Sequence, residues 1–92
     1  MFSLKSIVER NSEIAWRIIE GRAVLVDESD NRVLQLDEVA TEIWKCIEAA
    51  TTVEAIVRHL CERFEVNESK AVKDTIRFLK QLEVRELIKV VQ

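Results

Sequence analysis

The chain has 92 residues, 48% of them hydrophobic and 34% charged, with a formal net charge of −3. One domain with a single modest core is expected, burying roughly 60–65% of the extended chain's surface. This balance excludes a disordered chain, and the acidic sum gives no general pull toward nucleic acid or anionic membrane.

Residues 1–12 carry no clear pairing pattern and are expected to be a flexible arm or a lead-in docked on the body. Lys5, Ser6 and Glu9 interrupt the continuous apolar stretch that a secretory signal requires. Nowhere does an apolar run approach the ~20 residues that span a bilayer, so a cytoplasmic protein is expected.

Residues 14–20 alternate loosely, with Trp16 and Ile18 on one face and Arg17 and Ile19 on the other, as in a strand. Gly21, the chain's one glycine, supplies the positive φ of a tight hairpin. Residues 22–27 read as a second strand. Glu28, Ser29, Asp30 and Asn31 form a turn, because their polar side chains hydrogen-bond nearby backbone. Residues 32–36 form the third strand, with Leu34 and Leu36 facing inward. Short connections imply an antiparallel meander whose outer strands are edges.

Asp37 is placed to cap a first helix with the stripe Val39, Ala40, Ile43, Trp44 and Ile47. Thr51 and Glu54 have capping-box spacing for a second helix, whose stripe is Val53, Ile56, Val57, Leu60 and Phe64. Asn67 caps a third, with Val72, Ile76, Leu79 and Leu82 inward, widened by Ala71 and Phe78. Residues 87–91 are apolar and β-branched, a short strand or packed extension. The expected fold is α+β and winged helix-turn-helix-like: a three-stranded antiparallel sheet followed by three helices.

No catalytic constellation emerges. His59 is the only histidine and has no partner nameable from sequence, and there is no glycine-rich phosphate loop. Cys46 and Cys61 lack ligand spacing and read as small hydrophobes, so neither cofactor nor metal is expected. Two features remain. Lys70, Lys73, Arg77 and Lys80 lie along one face of the third helix, either solvated and paired with acidic neighbours or guiding an acidic partner. Such a stripe also suits a DNA recognition helix, so a winged-helix DNA-binding regulator is the alternative reading. The other feature is the third strand, which has no proline to blunt its edge. That edge is covered by the chain itself, pairs two copies in a homodimer, or accepts an extended peptide.

The ordered combination Gly21-Arg22-Ala23-Val24-Leu25-Val26, Val33-Leu34-Gln35-Leu36-Asp37-Glu38-Val39-Ala40 and Ile43-Trp44 resembles one family. Thr52-Val53-Glu54-Ala55-Ile56-Val57, Phe64-Glu65-Val66 and Phe78-Leu79-Lys80-Gln81-Leu82 before Leu87-Ile88 extend the likeness over residues 15–88. It is similar to the PqqD peptide chaperones of pyrroloquinoline quinone (PQQ) biosynthesis. The wider group is the recognition elements for ribosomally made, post-translationally modified peptides (RiPPs). The resemblance implies capture of a precursor's leader segment by β-strand addition, and its presentation to a radical-SAM enzyme, cyclase or peptidase. Carried onto this chain, the docking strand is Arg32, Val33, Leu34, Gln35 and Leu36, and the groove wall includes Lys73, Ile76, Arg77 and Lys80. The chain departs from the family at Glu86, near which members usually have glycine.

Overall fold

In the computed structural model, which describes residues 2–28 and 31–91, nine elements follow one another. They are β1 (Ile7–Arg10), β2 (Trp16–Ile19), β3 (Arg22–Asp27), β4 (Arg32–Gln35), α1 (Glu38–Cys46), β5 (Thr51–Thr52), α2 (Val53–Arg63), α3 (Glu68–Val84) and β6 (Ile88–Val90). The expected meander is present as the antiparallel sheet β2-β3-β4, followed by three helices. Its first turn holds Glu20 and Gly21 at φ 54° and 82°, the two successive left-handed residues of a type I′ hairpin. In the second turn Asn31 has φ 52°; Ser29 and Asp30 lie outside the described residues.

Of the two alternatives for the first twelve residues, Ile7–Arg10 follows the docked one, as a strand integral to a second sheet of order β5-β1-β6. Val8, fully buried, sits opposite Thr51 on one side and Val90 on the other. The tail is thus the strand alternative, in β6. This sheet joins the beginning, middle and end of the chain, so no local pattern announces it.

Helix starts follow the capping logic. Asp37 accepts from the Ala40 amide and Asn67 from the Lys70 amide, each at 2.8 Å. For α2 the cap moves one residue from expectation: Thr52, not Thr51, accepts from the Ala55 amide at 3.1 Å. Both threonines pair with β1, and Thr52 is the one that directly precedes the first helical residue. The inner faces of β3, α1, α2 and α3 meet in one core around Leu25, Ile43, Trp44, Ile56, Leu60, Leu79 and Leu82.

Arg10 links the two sheets. Its guanidinium lies 4.4 Å from the Trp16 ring centroid and 4.8 Å from that of Trp44. It donates from Nε to the Trp44 carbonyl at 3.2 Å and also from Nη2. The two indoles meet edge to face, 6.0 Å apart.

Candidate functional site

The site starts at the backbone of β4, whose hydrogen-bonding groups point alternately toward β3 and away from it. The Leu36 amide donates to the Ala23 carbonyl at 2.8 Å. Antiparallel pairs alternate between bonded and non-bonded, so Leu34, opposite Leu25, also directs its amide and carbonyl at β3. Val33 and Gln35 direct theirs outward. Among the described residues no strand pairs with that flank. The sheet therefore ends in backbone donors and acceptors available to an incoming strand.

Where β4 turns into α1, Thr41 closes the ladder. Its buried hydroxyl accepts from the Ala23 amide at 3.0 Å and donates to the Leu36 carbonyl at 3.4 Å. At that point a cleft of about 200 Å³ opens between the β4–α1 junction and α3. Asp37, Val39, Ala40 and Ile43 form one wall, and Arg77, Phe78 and Gln81 the other. The far end of α3 is tied to the sheet by Arg85, whose Nη1 lies 3.4 Å from the carboxylate of buried Asp27. An open strand edge beside a cleft that sets Val39, Ala40, Ile43 and Phe78 among Asp37, Arg77 and Gln81 suits an extended peptide with a side chain entering at one end.

The profile of the family described as coenzyme PQQ synthesis protein D (PqqD) matches residues 22–88. The chain belongs to the PqqD family. A solved structure of TbiB1 in complex with the TbiA(beta) leader peptide is similar to it with a TM-score of 0.80 and 25% identity, over 88% of this chain and 94% of that one. The PqqD truncation of Methylobacterium extorquens PqqCD is described as a functional, stand-alone RiPP recognition element. It is similar in fold with a TM-score of 0.79 and 20% identity, over 97% of this chain and 95% of that one. No curated protein matches the sequence.

Within this PqqD-family fold the sequence-derived residues divide. Val33, Leu34 and Gln35 form the outer strand with Arg32, while Leu36 is buried just beyond its end. Arg77 lines the cleft. Lys73, Ile76 and Lys80 do not: at 100° per residue they fall on the flank of α3 opposite Phe78 and Gln81. The basic stripe is also partly neutralised, because Asp74 lies 3.2 Å from Lys70 and 3.4 Å from Arg77. Sequence reasoning assigned Phe78 to the core and passed over Gln81. Val39, Ala40 and Ile43 appeared as core stripe, without their second role as a cleft wall.

His59, the one histidine, braces α2 against α1. Its Nε2 lies 2.9 Å from the Glu42 carboxylate, which Lys45 and Arg63 also approach. The His59 hydrogen bond, with Lys45 and Arg63 assisting, holds Glu42 below the usual carboxylate range against the opposing effect of burial. Burial raises the Cys46 thiol, so this cysteine is poorly suited to act as a nucleophile. Among the described residues no helix is long and apolar enough to cross a membrane.

Proposed function

We propose that the protein captures the leader segment of a ribosomally made precursor peptide as an added strand along β4. It presents that peptide to a modifying enzyme in PQQ-type or other RiPP biosynthesis. It acts by binding alone, in the cytoplasm and as one domain with β1 part of its body, and the chemistry belongs to the enzyme. Family membership supports this reading, as does the leader peptide carried by the similar TbiB1 structure. The observation that carries it is the outward flank of Val33 and Gln35 beside the cleft at the end of β4.

Magnitudes divide the work between edge and cleft. Two outward residues offer four backbone hydrogen bonds, together worth about 2–6 kcal/mol at typical net values. Association costs about 4–15 kcal/mol in lost freedom. Backbone pairing sets position and direction, and an apolar leader side chain in the cleft must supply the surplus. Arg77 adds attraction for an acidic leader residue, with Lys73 and Lys80 contributing at longer range and Ile76 only indirectly, by packing against the core that holds α3.

The test is a titration with synthetic leader peptide. Gln35→Pro deletes an outward amide without touching the β3 ladder, and should weaken binding about tenfold or more, whereas Gln35→Ala should change it little. Leu34→Pro deletes a donor to β3 and should lower stability as well. Equal leader affinity in Gln35→Pro and the parent would overturn strand addition on β4.

A further inference from the structure

The sheet β2-β3-β4 has a second face, turned away from the helices. Alternation places Arg17 and Ile19 of β2, Arg22, Val24 and Val26 of β3, and Val33 and Gln35 of β4 on it. Ile19 is 43% exposed, Val26 36% and Val33 66%, a concentration of apolar surface on a small protein. The chain's 17 acidic residues include none of these seven. Glu20 and Glu28 stand only in the turns at the sheet's ends.

We propose that this face docks the modifying enzyme, through an apolar patch on that enzyme flanked by carboxylates. The inference rests on the leader-capture reading. Charge argues for such a partner and against a second copy, because two of these faces brought together offer arginines no carboxylate on either strand surface. Continuity argues for the same partner. Val33 and Gln35 lie both on this face and on the edge that receives the leader, so an added strand extends the face by one strand. Its alternate side chains then stand beside Val33 and Gln35, and the enzyme meets a surface built jointly by the protein and its cargo. An enzyme docking there favours the loaded protein over the empty one.

The experiment measures binding of the purified modifying enzyme to the protein preloaded with synthetic leader. Arg17→Glu reverses a charge on an exposed edge strand, and Val26→Asp places a carboxylate at the centre of the patch. Each should weaken enzyme binding about tenfold or more with leader affinity unchanged, and Arg17→Lys should retain most of it. Should Val26→Asp fail to fold, Arg17→Glu decides alone. Unchanged enzyme affinity in Arg17→Glu with leader binding intact overturns the docking face. So does a parent dimer in sedimentation that Arg17→Glu dissociates, since the face would then belong to a second copy. Absence of leader binding in the parent instead overturns the leader-capture reading.

Discussion

Glu86 sits where few glutamates do. Its φ is 59°, in the left-handed region, at the end of α3. The Glu86 amide donates to the Glu83 carbonyl and the Leu87 amide to that of Leu82, each at 2.9 Å. This is a Schellman closure, in which buried Leu87 folds back toward buried Leu82. A side chain at that position costs about 1 kcal/mol that glycine avoids. Glu86→Gly should therefore raise the melting temperature by about 4–8 °C, measured by circular dichroism. A decrease would show that Glu86 makes a compensating contact. The left-handed φ gives a conformational reason for the glycine that the family resemblance leads one to expect near this position.

At the scale of elements, one hydroxyl joins β4 to α1, with Arg22 Nε also donating to the Leu36 carbonyl at 3.2 Å. Thr41 joins the last rung of the β3–β4 ladder to the first turn of α1, fixing how the open edge meets the cleft. Thr41→Val keeps the shape but strands a buried amide and weakens a buried carbonyl's bonding, a loss of about 1–3 kcal/mol. Urea unfolding should show that loss, and leader affinity should fall beyond it, because edge and cleft lose their shared anchor. Unaltered stability would mean that the two backbone groups find other partners.

The elements visible in the sequence are those with local causes. Alternation around Gly21 revealed β2 and β3, and Asp37 and Asn67 marked two helices by side chains that bond three residues ahead. The hidden elements have distant causes. Ile7 pairs with Thr52 and Val8 with Val90, and strands of two to four residues carry too little pattern to be read alone. The site was half visible for the same reason. An edge follows from strand order, but which flank of α3 faces the sheet depends on how its buried Ala71, Thr75, Leu79 and Leu82 pack across the fold. The charged stripe pointed to one flank, whereas Phe78 and Gln81 lie on the other. The one available signal was Phe78, which broadens the apolar stripe toward the side that lines the cleft.

Across the whole molecule, the brace at Arg10 joins β1 to the meander through two indoles and a backbone carbonyl. Stacking on two rings and charge-assisted hydrogen bonding together contribute about 2–4 kcal/mol. Arg10→Ala should lower the urea midpoint accordingly and shift tryptophan emission, since both indoles lose the cation that lies over them. An unchanged midpoint would reduce Arg10 to a surface residue. Because β1 also carries β5 and β6, loss of this brace should loosen the chain's beginning, middle and end together.

The alternation along β4 also constrains any peptide that pairs with it. Successive side chains of such a guest point to opposite sides, one set toward the cleft and the other away from it. A short leader thus carries two interleaved codes, one answerable to this protein and one to whatever meets the opposite surface. Moving a precursor between pathways then requires exchanging every second residue, and a contiguous block swap disturbs both codes at once.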